Sequence, residues 1–205
     1  MKQKGVRYNW NCIAISIAAL AVTTLAVVYL PGLREIDMHL MQSVQALLAP
    51  FPLSFAHFIT DFGAGHWWRW PQIAAGSVLI SHRLYKECFL LILFMRVSII
   101  ITNVTKEWIC RERPHGFSHL GYSYPSGHAL ITMCLYGIII YLIYRHVKPG
   151  FWRNFLCAFF GLFILLVCVS RMWIGMHFPA DVFAGLLLGF LLVNFFIITL
   201  KLLEK

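Results

Sequence analysis

Residues 179–200 read PADVFAGLLLGFLLVNFFIITL, and after Asp181 no ionisable side chain appears until Lys201. A helix rises about 1.5 Å per residue, so roughly 20 residues of this kind cross the hydrocarbon core of a bilayer. The polar residues collect at one end, where Pro179 suits a first helical turn. Apolar runs of the same kind recur at 11–30, 67–80, 88–105, 127–144 and 155–172. The expected fold class is therefore all-α integral membrane, with six transmembrane helices. The run at 67–80 is short, and the stretch from Pro52 to Gly65 is expected to complete it as a separate or broken helical piece.

Composition supports this reading. Of 205 residues, 60% are hydrophobic and 12% charged, and the mean hydropathy is +0.75. A soluble domain carries roughly a quarter charged residues. Collagen, a coiled coil, a disordered regulator and a disulfide scaffold are excluded on the same grounds. The net charge of +9 is dispersed between apolar runs rather than gathered in a solvated patch, so nucleic acid is not an expected partner. The six cysteines show no Cys-x2-Cys pair and read as small buried hydrophobes. Residues 1–30 begin like a signal peptide, but Asn11 to Leu30 is long enough to span and lacks an Ala-x-Ala site, so it reads as a retained helix.

Between the first two spans, Leu33, Ile36, Leu40, Val44 and Leu47 recur at helical spacing opposite Arg34, Glu35, Asp37, Gln42 and Gln45. That pattern predicts an interfacial amphipathic helix. Lys2, Lys4, Arg7, Arg83, Lys86, Arg145, Lys148, Arg153, Lys201 and Lys205 fall on one side. Arg34, Arg69, Lys106, Arg111, Arg113 and Arg171 fall on the other. The bias places both termini in the cytoplasm, with Trp67, Trp68 and Trp70 in one interfacial belt and Trp10 and Trp152 in the other. No linker or repeat divides the chain, and 1–205 reads as one domain.

The remaining charges cluster at helix ends on the side with fewer positives. Lys106 and Arg113-Pro114 leave the third span, and Pro125-Ser126-Gly127-His128 enters the fourth. Ser170-Arg171 leaves the fifth, and His177 and Asp181 precede and open the sixth. Lys106, Arg113 and Arg171 supply fixed positive charge, with guanidinium forks that match phosphate oxygens. Ser126 and Gly127 offer free N–H groups at a helix start. His177 and Asp181, four apart, suit a nucleophile oriented by a carboxylate, and His128 is placed to protonate a leaving oxygen. With Asp181 committed to His177, no carboxylate pair is left to hold Mg2+, so no metal and no cofactor is expected.

These eleven residues, in order and at these spacings, resemble the three-part signature of the type 2 phosphatidic acid phosphatase (PAP2) superfamily, in its bacterial membrane lipid phosphatase branch. The resemblance implies that His177 forms a phosphohistidine, that His128 donates the proton, and that Lys106, Arg113, Ser126, Gly127 and Arg171 cradle the phosphoryl group. It further implies a lipid phosphate or diphosphate substrate, foremost undecaprenyl diphosphate or phosphatidylglycerol phosphate, hydrolysed at the extracytoplasmic face of a bacterial inner membrane. A phosphotransferase passing phosphate to another lipid such as lipid A shares the first half of that chemistry. A transporter is the rival from another class, and it would need polar residues continuing across the bilayer.

Other polar residues are expected to be structural. Arg69 and Arg111 read as interfacial anchors, and His39, His57, His66, His82 and His146 as ordinary histidines. His115 and His119, on the loop between the first two motifs, are secondary candidates for substrate contact. Arg96 lies at mid-span; with Asn103 on nearly the same face, it is expected to look into the bundle and pair with Asp61. Gly185-x3-Gly189 is expected to serve close packing inside the chain, and no oligomer is predicted from it.

Overall fold

The computed structural model describes residues 10–64 and 67–205, apart from the side chains at 115, 116 and 118. Lys2, Lys4, Arg7, Gly65, His66 and the side chain of His115 lie outside the described residues. Eight α-helices follow in order: α1 Trp10–Tyr29, α2 Leu33–Leu48, α3 Leu53–Ala64, α4 Arg69–Ser81, α5 Tyr85–Ile109, α6 Gly127–His146, α7 Phe151–Trp173 and α8 Pro179–Leu202. A 3-10 segment, Pro114–Leu120, lies between α5 and α6. No strand occurs among the described residues. The protein is an all-helical integral membrane protein.

Five helices, α1, α5, α6, α7 and α8, are long and apolar enough to cross a membrane. The expected second span differs from this set. At 13 residues, α4 measures only about 20 Å. It ends where Arg83 turns left-handed at φ 58° and Leu84 N–H donates to Leu79 O at 2.8 Å, the geometry of a helix stop. Counted together, α2 and α3, bent by 116° at their break, are also long and apolar enough to cross.

At the centre α6 packs against α8, α7, α5 and α3. Its contact with α8 depends on small residues. A Cβ at Gly185 would come within 2.5 Å of Ser126 O, and one at Gly189 within 2.7 Å of Met133 Cβ. The Gly185-x3-Gly189 pair thus serves packing inside one chain. Leu130, Leu135, Ile138, Phe196 and Leu200 fill the same seam and are fully buried. Cys88, Cys134 and Cys168 are buried in or beside it as free thiols, whereas Cys12 and Cys110 are exposed, so burial holds for only part of the cysteine set.

The surface of α2 has the opposite arrangement from a helix on a soluble protein. Ile36, Leu40 and Leu47 point outward, while Asp37 and Met41 are buried against the bundle. Gln45 Nε2 donates to Trp173 O at 3.2 Å. The outward face is the one a lipid would meet.

Arg96 and Asn103 both lie on the exposed side of α5. Among the described residues no ion pair joins Arg96 to Asp61. Arg96 instead lines a groove between α4 and α5 with Arg69, Gln72 and Ser77. Asp61 acts on Arg171, whose field it enters from α3. The expected pair fails because α5 turns its Arg96 face to α4, away from α3.

Candidate active site

The site is built at the end of the bundle where α5, α7 and the loop before α6 finish and α6 and α8 begin. Ser126 caps α6: its Oγ accepts from Ala129 N–H at 3.5 Å, and its own N–H donates to Asp181 O at 2.9 Å. The α6 and α8 starts are therefore joined through the turn carrying Ser126 and Gly127. Phe178 stands before α8 with extended backbone, and Asp181 Oδ2 accepts its N–H at 3.0 Å, satisfying one donor of the first turn.

His177 is 2% exposed, Arg171 5%, Arg113 8%, and Ser126 and Asp181 are wholly buried. Lys106, Gly127 and His128 are half-buried. Arg113 Nε donates to Gly121 O at 2.9 Å, NH1 to Met176 O at 3.1 Å and NH2 to Leu120 O at 3.3 Å. Arg171 NH1 donates to Thr60 Oγ1 at 2.9 Å, leaving its buried Nε with no hydrogen-bond partner among the described residues.

His177 sits between two charged neighbours. Nε2 lies 3.3 Å from Arg113 NH1, and Nδ1 lies 3.6 Å from Asp181 Oδ2. Arginine has no lone pair to offer, so it must donate, and Nε2 must be the unprotonated nitrogen. The proton is then on Nδ1, facing the carboxylate. At 3.6 Å that contact is an ion-pair distance rather than a hydrogen bond. Burial first, then the charges of Arg171, Arg113 and Lys106, push His177 well below its ordinary value of 6.5, so the imidazole is neutral at pH 7. Burial likewise lowers Arg113, with the charge of Asp181 acting against it. His128 lies in the field of Arg171, His177, Lys106 and Arg113. All eight residues singled out in the sequence are thus brought to one end of the bundle. A buried neutral imidazole facing three cations and a helix N-terminus can attack an electrophile whose negative oxygens those cations hold.

Residues 87–203 match the family model described as PAP2 superfamily. The chain belongs to the PAP2 superfamily. Similar PAP2 proteins include a phosphatidylglycerophosphatase B of Bacillus subtilis, 26% identical over 87% of this chain and 90% of its own. An undecaprenyl-diphosphatase of Sulfolobus acidocaldarius is 32% identical over 64% of this chain and 63% of its own. Among solved structures, the transmembrane PAP2-type phosphatidylglycerolphosphate phosphatase from Bacillus subtilis superposes with a TM-score of 0.81 at 24% identity, covering 94% of this chain and 97% of that one. Aquifex aeolicus LpxE superposes at 0.62 with 21% identity, covering 81% and 95%. These superpositions show the PAP2 membrane fold.

Two residues escaped the sequence reading. Arg111 is no interfacial anchor: its side chain is 10% exposed and pairs with both Asp37 and Asp181 at 2.6 Å. The anchor reading fails because the segment after α5 folds back under α8 instead of reaching for the interface. Asp37 was assigned to the polar face of α2. Its place at the head of the inward stripe Met41, Val44 and Leu48, each three or four residues apart, is the signal that marks it as buried. His119 is exposed and its ring stands 6.2 Å from that of Phe117; none of its described contacts reaches the histidine pair.

Proposed function

We propose that the protein is a membrane lipid phosphatase that hydrolyses a lipid phosphate or diphosphate through a phosphohistidine on His177. The observation that carries this reading is the orientation of His177, with its lone pair on Nε2 beside Arg113 and its Nδ1 proton toward Asp181. Nε2 attacks phosphorus, the P–O bond to the lipid breaks, and His128 gives its proton to the leaving oxygen. Water, deprotonated by His128, then attacks the phosphohistidine, releasing inorganic phosphate and restoring His177. Lys106, Arg113, Arg171 and the N–H groups at Ser126 and Gly127 hold the phosphoryl oxygens.

This charge set is expected to work without a metal. We place six spans in the bilayer, the short helices α3 and α4 together making the second, with α2 lying in the interface, both termini in the cytoplasm and the site at the extracytoplasmic face. Residues 1–205 act as one domain. The outward Ile36, Leu40 and Leu47 support entry of substrate sideways from the membrane. The names of the similar proteins favour undecaprenyl diphosphate and phosphatidylglycerol phosphate as substrates, in a bacterial inner membrane.

The test is phosphate release by purified protein, with and without EDTA, against polyprenyl diphosphates, phosphatidylglycerol phosphate, phosphatidic acid and lipid A. An acid-labile phosphoenzyme should be trapped with the preferred lipid. Absence of release from every lipid in the panel would refute the reading.

A further inference from the structure

Arg111, Asp37 and Asp181 form a closed cluster of three buried charges from three separate segments. Arg111 NH1 donates to Asp181 Oδ1 and NH2 to Asp37 Oδ2, both at 2.6 Å. The side chains of Arg111, Asp37 and Asp181 are 10%, 3% and 0% exposed, and the guanidinium carbon lies 4.4 Å over the Phe178 ring. Asp37 Oδ1 accepts Ala180 N–H at 3.1 Å, in the first turn of α8. Each oxygen of both carboxylates therefore has an assigned place, and Asp181 Oδ2 is left facing His177 Nδ1.

We propose that Arg111 and Asp37 are positioning residues for the nucleophile, acting through Asp181. With Oδ1 held by the guanidinium and Oδ2 also accepting Phe178 N–H at 3.0 Å, the carboxylate is fixed at both oxygens about its terminal bond, and Oδ2 stays turned to the imidazole. The charge count matters as well. Arg111 with Asp181 alone would be neutral and would give His177 little help when it takes on positive character during attack. The second carboxylate, Asp37, leaves the cluster with one net negative charge on the Nδ1 side of the ring. It comes from α2, so the seating of the helix that meets lipid is linked to the orientation of the nucleophile.

This inference rests on the phosphohistidine reading, and the experiment separates the two. Groups facing His177 are Lys106 from α5, Arg113 after it, His128 from α6, Arg171 from α7 and Asp181 from α8, with Asp61 of α3 acting on Arg171. Asp37→Asn, Arg111→Gln, the double variant and His177→Ala would be assayed in detergent with a short-chain phosphatidic acid, with folded protein quantified by thermal unfolding. Misplacing the nucleophile is expected to lower kcat about 10- to 100-fold, with KM changed by less than about two-fold. The acid limb of kcat/KM should move in opposite directions by about half a unit to one unit. Asn at 37 removes a negative charge and shifts it to lower pH, Gln at 111 removes a positive charge and shifts it to higher pH, and the double variant returns toward wild type. Lower thermal stability with unchanged kcat per folded molecule and an unmoved limb would overturn the proposal, as would failure of both single variants to fold. Full turnover by His177→Ala would overturn the phosphohistidine reading instead, whatever the other variants do.

Discussion

The two ends of the helix bundle carry similar numbers of charged side chains and treat them differently. At the histidine end, Arg111, Asp181 and Asp37 are buried and share contacts, and Arg113 and Arg171 are fixed by several main-chain and side-chain acceptors. At the opposite end the pairs stand singly: Arg145 with Glu204, His146 with Glu87 at 3.5 Å, and Lys86 on Leu203 O at 2.5 Å. That end also holds a cleft of about 870 Å3, lined by Val78, Leu79, Ile143, Phe160 and other mainly apolar residues. The cleft lies far from His128 and His177, so volume does not mark the chemistry here. What marks it is charge that burial would penalise unless it were organised.

The largest effect should come from the proposed nucleophile. His177→Ala is expected to lower kcat by on the order of 10⁴-fold or more and to abolish the acid-labile phosphoenzyme, read by quench and acid-stability assay. Next is Arg171→Gln, which removes one of three charge-neutralising groups and should lower kcat about 10²- to 10³-fold with the fold retained by thermal unfolding. His128→Ala should lose about 10²-fold on an alkyl phosphate but markedly less on p-nitrophenyl phosphate, whose leaving oxygen needs little protonation. Equal losses on the two substrates would break the acid assignment.

A smaller effect concerns pH. As the proposed nucleophile His177 must be neutral, and its lowered value means that protonation begins only well below 6.5. The acid limb of kcat/KM for wild-type protein should therefore lie below pH 6.5, with activity lost as pH falls through it. The smallest effect belongs to the opposite end. Glu204→Gln breaks a half-exposed pair with Arg145, worth about 1 kcal/mol or less, and should leave turnover unchanged. A large loss there would erase the contrast between the ends.

Much of this contrast is readable from the sequence. Apolar runs locate the long helices because a bilayer demands length and uniformity, and the eight site residues stand out as ionisable groups at the ends of those runs. The bends were less legible. The short run at 67–80 already implies that α3 and α4 separate, whereas nothing in the apolar pattern marks the left-handed stop at Arg83 or the 116° elbow between α2 and α3. Arg96 was misassigned because periodicity gives the face of a helix but not which neighbour it meets. Arg111 escaped because its partners, Asp37 and Asp181, lie 74 and 70 positions away in opposite directions along the chain, a juxtaposition only the fold provides.

The joint between Ser126 N–H and Asp181 O, backed by Gly185 against the same turn, has a mechanical consequence. The turn at Ser126 and Gly127 and the start of the helix bearing Asp181 behave as one stiff wall, since sliding either would break a buried main-chain bond or drive α8 into the Ser126 carbonyl. Any widening of the site to admit a bulky headgroup must come from the other wall. There α2 and α3 meet at a 116° elbow, and α3 is itself held where Gly63 packs against Val167 of α7, so the room to move belongs to α2, whose Ile36, Leu40 and Leu47 face outward.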